Sequence, residues 1–187
     1  MSFVHLNVAS AYSAHYGVNR PEHLVAAAAE SFDALAITDR DGLYGAIKHI
    51  GACLANKISP IVGVNLSVET ENGESRIVIL AHGHTSGRGW SQLCRIISKA
   101  HQSKTKRPVI GISDLAESLG DEPACSVLLG GESITGKSVL ENPRLAANEL
   151  LNWKAALNKT GSLVIEITNL LAEPGACLLY TSPSPRD

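Results

Sequence analysis

Several familiar residue patterns are missing from this sequence. Its four cysteines stand far apart and no C-x-x-C pair occurs, which disfavours a zinc knuckle, a redox motif and a disulfide framework. No apolar run reaches the roughly 18 residues that a membrane span needs, and no charged segment followed by an apolar core opens the chain. These absences predict a cytoplasmic protein in a reducing compartment, with no membrane partner.

An excess of charge of one sign is also missing. The 187 residues carry 16 Lys plus Arg and 18 Asp plus Glu, a net charge of −2. A protein that binds nucleic acid by itself needs clustered Lys and Arg to displace counterions from phosphates, and the one basic run, at residues 104–107, is typical of a solvated loop. With 44% apolar residues, the chain is expected to form one globular domain, or part of one.

Apolar runs of strand length alternate with segments of helical period, a pattern typical of βα units around a parallel sheet. We expect strands near residues 3–8, 34–38, 60–68, 76–81, 125–129 and 163–168. Because the carboxyl ends of parallel strands meet at one mouth, the residues just beyond them are the first candidates for chemistry. These candidates are Ala9, Ser10, Thr38, Asp39, Arg40, Asn65, His82, Gly83, His84, Gly130, Gly131 and Asn169.

The segments between the strands have helix and turn signals. Helices are expected to begin near Pro21, Asp41-Gly42, Trp90 and Asn142-Pro143. Asn72-Gly73, between two strand-like runs, predicts a hairpin turn, and residues 101–111 are composed like a surface linker. The apolar stripe that the second helix is expected to bury consists of Leu43, Ile47, Ile50 and Leu54.

Three blocks, FVHLNVASAYS at 3–13, ALAITDRDGLYG at 34–45 and PIVGVN at 60–65, resemble a known family in order and spacing. They are similar to the PHP (polymerase and histidinol phosphatase) domain that opens bacterial C-family DNA polymerase III alpha subunits, and T-D-R-D resembles the error-prone type. The resemblance covers most of residues 3–169. It implies an α/β fold, a distorted, TIM-like βα barrel of seven strands, whose strand ends hold up to three metal ions through His, Asp, Glu and Cys.

The metal ligands of that family are replaced in this chain. By the resemblance, the lost ligand positions fall on Asn7, Ala9, Tyr16, Arg40, Asn65, Arg76 and Gly131. Alanine has no donor atom, asparagine is a weak neutral donor, and arginine has a permanent positive charge that opposes a nearby cation. We therefore expect no bound metal and no catalytic residue here, with the Arg40 side chain in the vacated space, paired with Asp39 or Asp41.

A rearranged metal site remains an alternative, and it would make the chain an active metal-dependent phosphoesterase. His82 and His84 flank a glycine and could face one ion if a third ligand approached, for which His5 and His15 are the nearest candidates in sequence. Asp39 could also contribute, either as a ligand or with Asp41 as an acid/base pair. The competing interpretations are a core or rim histidine at position 5, a plain surface loop at 82–87, and helix capping and loop hydrogen bonds by Asp41.

A second alternative is nucleotide binding. Residues 131–138, GESITGKS, match the phosphate-loop pattern G-x-x-x-x-G-K-S after a strand. In such a loop the backbone around Gly131 and Gly136 would cradle phosphates, Lys137 would reach the terminal phosphates, and Ser138 would hold magnesium. A helix that began at Lys137 would have barely one turn before Pro143, so a chance match is the favoured interpretation.

The last residues, 177–187, resemble the translation of a sequencing-adapter end. We therefore expect a PHP domain over residues 1–176, incomplete at its C-terminus, followed by a non-native tail. The resemblance implies an inactive domain that serves as a structural platform for a polymerase domain outside this chain. That domain would be the nucleotidyltransferase, using Mg²⁺ for DNA-templated DNA synthesis in replication and repair. The partners implied are the rest of its own chain and, through it, DNA, with no cofactor in this fragment.

Overall fold

Helices and strands alternate along the chain, as the sequence pattern predicts. The structure is a computed structural model that describes residues 3–103, 105–157 and 163–167. Its elements are α1 (Pro21–Ala28), β1 (Ala34–Ile37), α2 (Ala46–Ala55), β2 (Ser59–Thr70), β3 (Gly73–Ala81), α3 (Arg88–His101), β4 (Val109–Gly111), α4 (Ile112–Leu119), β5 (Cys125–Leu129), α5 (Ile134–Glu141), α6 (Pro143–Ala156) and β6 (Leu163–Ile165). Among the described helices, none is both long and apolar enough to cross a bilayer.

The strands form one mixed sheet in the order β1-β2-β3-β5-β6, with β4 paired to the far half of β2. The α/β class expected for a distorted barrel is confirmed, as is the hairpin predicted at Asn72-Gly73, but the sheet of the βα units is mixed rather than parallel. Strand β3 runs antiparallel to both β2 and β5. Thr70 pairs with Gly73, so a two-residue turn joins β2 to β3, and a connection that short joins only antiparallel strands. Gly73 has a φ of +118°, which a side chain at this position would disfavour.

Two further segments differ from the sequence prediction. Residues 3–8 do not form a full strand; they lie beside β1 through one parallel bridge, between His5 and Leu35. The expected linker at 101–111 contains β4, which pairs with Ser67–Glu69 of β2 and leads directly into α4. A strand of three residues is too short to produce a readable alternation, so only its pairing with β2 defines it.

The main core lies between the sheet and helices α3, α4 and α6. Helix α6 begins as predicted, with Asn142 as N-cap and Pro143 at N1. On its inner face the fully buried Trp153 donates its indole N–H to Glu149 Oε1 at 3.1 Å. Asn72 at the hairpin turn donates to Glu149 Oε2 at 2.6 Å. The buried carboxylate is therefore hydrogen-bonded through both oxygens, and it connects α6 to the turn between β2 and β3.

Helix α2 buries a different face from the one that its sequence pattern predicts. The buried residues are Ala46, His49 and Cys53, whereas Ile47 is 71% exposed and Leu54 67% exposed. The helix begins at Ala46 rather than near Asp41-Gly42, and its orientation is displaced by one residue, about 100° around the axis. The small Ala46 and the His49 ring, which hydrogen-bonds to the Leu35 carbonyl at 3.0 Å, allow α2 to pack close to β1.

Candidate functional site

A cavity of about 640 Å³ lies beside the ends of β1 and β5 and the middle of the β2–β3 hairpin. The tertiary structure brings together there every position at which the family resemblance places a lost metal ligand. Those positions are Asn7, Ala9, Tyr16, Arg40, Asn65, Arg76 and Gly131. The cavity is therefore the candidate functional site of this chain.

Arg40 extends into this cavity, but its partner is not the one expected from the sequence. Its Nη2 donates to both oxygens of Glu132, at 2.5 and 2.7 Å, and its guanidinium lies 3.3 Å from the centroid of the Tyr16 ring. The side chain is only 16% exposed. The expected pairing with Asp39 or Asp41 is wrong, because other groups already hydrogen-bond to both of those carboxylates.

Arg76 is the more extensively bonded of the two arginines. Its Nε donates to Asn65 Oδ1 at 2.6 Å, its Nη1 to Ser67 Oγ at 2.9 Å, and its Nη2 to Asp41 Oδ1 at 2.7 Å and to the Asn65 carbonyl at 3.1 Å. The side chain is 11% exposed. One guanidinium therefore joins β2, β3 and the loop after β1.

Asp39 faces the protein interior and holds the segment after residue 9 in place. Its Oδ1 accepts from the Ser10 N–H at 2.7 Å and from the Ser13 hydroxyl at 2.7 Å, and its Oδ2 accepts from the Ser10 hydroxyl at 2.9 Å. Ser13 Oγ in turn accepts from the Arg40 N–H at 2.9 Å. These buried hydrogen bonds give Asp39 a structural role, while the Asp41 carboxylate is bound to Arg76 instead.

Three carboxylates that the sequence analysis did not select, from Glu132, Glu141 and Glu166, also line the cavity. Glu166 follows β6, and burial raises the pKa of its carboxyl, an effect that nearby Glu132 increases. The Asn7 amide donates to Glu166 Oε2 at 3.3 Å, which lowers that pKa in part. Asn7 also accepts from the Thr38 hydroxyl at 3.1 Å. No signal in the sequence pointed to Glu132 as the partner of Arg40, because the two positions are 92 residues apart and no local pattern connects them.

The residues present do not fit a group of divalent metal ions. In the parts of the chain that the structure describes, no three His, Cys, Asp or Glu side chains come together as a metal site would require. At two of the family's ligand positions stand the guanidinium groups of Arg40 and Arg76, whose fixed positive charge opposes a cation. The cavity contains a network of ion pairs and amide hydrogen bonds instead of a donor set.

The candidate histidines do not meet in this cavity. His82 and His84 follow β3, and because β3 is antiparallel its end lies at the opposite side of the sheet, where Ala81 pairs with the start of β5. Their rings stack with centroids 5.5 Å apart, and His82 Nε2 shares a 2.8 Å hydrogen bond with Ser126 Oγ. Burial, and to a lesser degree His84, lowers the pKa of His82.

The remaining two histidine candidates also lie outside the cavity lining. His5 lies edge-on to the rings of Phe3 and Phe32, with centroids 4.9 and 5.0 Å away. His15 is exposed and adopts a φ of 70° in a turn. Among the described residues, neither approaches the pair at 82 and 84 as a third ligand. Asn169 and the tail at 177–187 lie outside the described residues.

The phosphate-loop motif folds as an ordinary capped helix. Helix α5 begins at Ile134, three residues before Lys137, and its N-cap Ser133 accepts from the Gly136 N–H at 3.0 Å. The same hydroxyl donates to the Gly130 carbonyl at 2.6 Å. A phosphate loop needs its helix to begin at the lysine and needs free backbone N–H groups. Gly131, Gly136 and Lys137 do line the cavity, while Ser138 is buried in α5.

Comparisons with known proteins agree with the family resemblance. The family model described as "PHP domain" matches residues 5–169. An error-prone DNA polymerase of Corynebacterium diphtheriae is 32% identical over 142 residues, which is 74% of this chain and 13% of that protein. The DNA polymerase III subunit alpha of Bacillus subtilis is 41% identical over 110 residues, 57% of this chain and 10% of that protein. The chain thus spans about a tenth of the length of these relatives.

Solved structures give the same fold at low identity. An amidohydrolase of Chromobacterium violaceum, with bound sulfate and no metal, has a TM-score of 0.57 at 16% identity, covering 88% of this chain and 76% of that one. A candidate metal-dependent phosphoesterase of Bifidobacterium adolescentis has a TM-score of 0.57 at 12% identity, covering 95% and 81%. At these identities the likeness concerns the fold alone.

Proposed function

The chain belongs to the PHP domain family, and from this premise we propose that it is a non-catalytic member, serving as a structural platform for the polymerase domain of an error-prone-type DNA polymerase III alpha-like protein. The observation that carries the proposal is the pair of arginines, Arg40 and Arg76, at two of the family's ligand positions and bound to Glu132 and Asp41. The similarity to polymerases of which the matched region is 13% and 10% of the length supports the choice of partner.

The chemistry of the cavity supports a structural role. Hydrolysis of a phosphoester by this type of site requires a metal ion that lowers the pKa of a bound water and polarises the phosphoryl oxygen. Arg40 and Arg76 generate no hydroxide, because a guanidinium does not give up its proton at physiological pH. Their ion pairs instead join the loop after β1 to β2, β3 and the loop after β5, which holds the cavity rigid.

On this proposal, nucleotide addition belongs to the polymerase domain, where Mg²⁺ would assist it, and the present chain supplies no cofactor. Its partners are then the remainder of the polymerase polypeptide and, through it, DNA, in cytoplasmic replication or repair. The net charge of −2 supports indirect rather than direct contact with DNA.

The second candidate is a metal-dependent phosphoesterase with a rearranged set of ligands. One observation favours it: three carboxylates, from Glu132, Glu141 and Glu166, line the same cavity. Against it, Glu132 is already bound to Arg40, and burial raises the pKa of Glu166, which disfavours the anionic form that a metal ligand needs.

One experiment distinguishes the structural platform from the metal-dependent phosphoesterase. The purified chain is dialysed against Mn²⁺ or Zn²⁺, its bound metal is measured by elemental analysis, and hydrolysis of bis-p-nitrophenyl phosphate is followed in added Mn²⁺. We expect far less than one equivalent of metal and no turnover above that of buffer. Stoichiometric metal together with turnover that Glu132→Gln or Glu166→Gln abolishes would overturn the platform proposal in favour of the phosphoesterase.

A further inference from the structure

Helix α2 presents large apolar side chains to solvent. Ile47 and Leu54 are separated by seven residues and so lie on one face of the helix, and they are 71% and 67% exposed. Tyr44, in the turn that leads into α2, is 62% exposed. Between the two helical residues lies Gly51, over which an added Cβ would meet no atom within 4 Å. We call Tyr44, Ile47, Gly51 and Leu54 the outer face of α2.

This face has the composition of a buried surface. Two of its residues, Ile47 and Leu54, belong to the stripe that the sequence pattern predicts to be buried, yet the fold buries Ala46, His49 and Cys53 instead. Single exposed apolar residues are ordinary on a protein surface, but a contiguous patch usually marks a contact with another protein segment. The open space above Gly51 allows a second backbone to approach α2 closely.

We infer that the polymerase part of the longer protein packs on the outer face of α2. The inference rests on the proposed function and names the surface through which the platform acts. The relatives are about ten times as long as the matched region, so in such a protein most of the chain remains to cover this face. The sequence of α2, AIKHIGACLA, contains Lys48 and no acidic residue, which fits an apolar partner surface with acidic residues at its rim.

A second copy of this chain fits the face less well. Two α2 helices packed on each other would bring Lys48 and Lys57 of one copy near those of the other, with no carboxylate on α2 to separate them. Juxtaposed like charges at an interface disfavour association. Lys48 contacts its own chain, since its ammonium lies 5.6 Å from the Tyr12 ring centroid.

Hydroxyl-radical footprinting tests the inference. The isolated chain and the polypeptide that joins this domain to its polymerase part are oxidised under the same conditions, and labelling is read by mass spectrometry. We expect severalfold less labelling of Tyr44, Ile47 and Leu54 in the longer polypeptide. Leu151, 62% exposed on α6, serves as the matched control and is expected to react equally in both. Equal labelling of the outer face in both proteins would overturn the inference.

Variants give an independent readout. Ile47→Asp with Leu54→Asp is expected to leave the melting temperature of the isolated chain nearly unchanged, because both side chains face solvent, but to speed proteolytic release of the domain from the longer polypeptide. Leu151→Asp is expected to change neither the melting temperature of the isolated chain nor the rate of proteolytic release. Protection that appears in the isolated chain as its concentration rises would assign the face to a second copy and overturn the inference.

The proposed function fails in a different way from this inference. A longer polypeptide that synthesises DNA, with a fully reactive outer face, contradicts the docking surface and leaves the platform role intact. A longer polypeptide with no DNA synthesis contradicts the proposed function itself, whatever the footprint at Tyr44, Ile47 and Leu54.

Discussion

The Arg76 guanidinium binds acceptors on β2 and on the loop after β1, so its removal leaves several polar groups without a partner. Arg76→Met keeps most of the side-chain volume but leaves Asp41 and Asn65 partly buried and unpaired. We expect a loss of about 2–3 kcal/mol in the free energy of unfolding, measured by urea denaturation with the fluorescence of buried Trp153.

The matched control for this change is Arg88→Met. The ion pair between Arg88 and Glu122 is largely exposed, and its loss is expected to cost less than about 0.5 kcal/mol. Adding Asp41→Asn to Arg76→Met is expected to recover part of the loss, because the unpaired charge is removed. Equal losses of unfolding free energy for Arg76→Met and Arg88→Met would show that the buried network stabilises the fold no more than an exposed ion pair does.

Glu166 makes stability depend on pH. Burial raises the pKa of its carboxyl above the ordinary 4.5, so the folded state binds the proton more tightly than the unfolded state does. Stability is therefore greatest below pH 4.5 for this group and is lost as pH rises through the raised pKa. We expect Glu166→Gln, which keeps an acceptor for Asn7, to raise the melting temperature at pH 7 to 8 and to have little effect near pH 4.

The comparison is the difference in melting temperature between Glu166→Gln and the unchanged chain across that pH range. Glu141→Gln, at an exposed position in the lining of the same cavity, is the control and should give a flat difference. A difference that is largest at pH 4 would contradict the assigned sign.

At the scale of single residues, sequence analysis predicted positions that surround one cavity, but not which side chains bind to each other there. The seven lost ligand positions meet in one cavity, because the family spacing records which residues follow which strands. The predicted partner of Arg40 was wrong, because its actual partner, Glu132, is 92 residues away in the sequence and no local pattern connects the two. The role of these positions as an inactive site stays a prediction until metal binding is measured.

Among the elements, helix α5 contains most of the GESITGKS motif, and its cap favours a structural role for the motif over nucleotide binding. Ser133 is fully buried and caps the helix through Gly136 while it donates to the Gly130 carbonyl. We expect Ser133→Ala to cost about 1–2 kcal/mol of unfolding free energy, measured by urea denaturation. Ser98→Ala, which removes an exposed bond within α3, is expected to cost less than about 0.5 kcal/mol.

The same helix predicts the outcome of a nucleotide titration. Because the Gly136 N–H is already bonded, we expect no measurable ATP binding by equilibrium dialysis with or without Mg²⁺. Lys137→Ala is then expected to change nothing. Binding by the unchanged chain that Lys137→Ala abolishes would restore the nucleotide-binding function.

Helices and strands could be predicted from the sequence where the signal for them is local. The helix that begins at Pro143, the hairpin after Thr70 and strand β1 all follow from caps, turn residues and apolar runs. The buried face of α2 was not readable, because its two faces are both apolar and only its packing against β1 selects one. Strand β4 was missed for the same reason, since it exists through its pairing with β2.

For the whole molecule, the outermost strand affects solution behaviour. Among the described strands, β6 pairs only with β5, and its Val164 and Ile165 are about half exposed. An apolar strand with an unpaired edge promotes association. We expect the isolated chain to be marginally stable and to self-associate, and Ile165→Lys to increase the monomer fraction in sedimentation velocity. Val18→Lys, at an exposed loop position away from the sheet, is the control.

A sharp, cooperative melt of residues 1–176 as a monomer would contradict this prediction. So would an equal effect of Ile165→Lys and Val18→Lys, because the two changes add the same charge and differ only in their relation to the sheet edge.

The sequence alone determined the order of elements, the α/β class, the family and the positions that surround the cavity. Each depends on residues that are near one another in the chain or on spacings between blocks. Only the tertiary structure decided which carboxylate each arginine binds, which face of α2 is covered, and on which side of the sheet the β3 histidines lie. Those outcomes depend on contacts such as Arg76 with Asp41, 35 residues apart, and no local pattern encodes the energy of bringing such groups together.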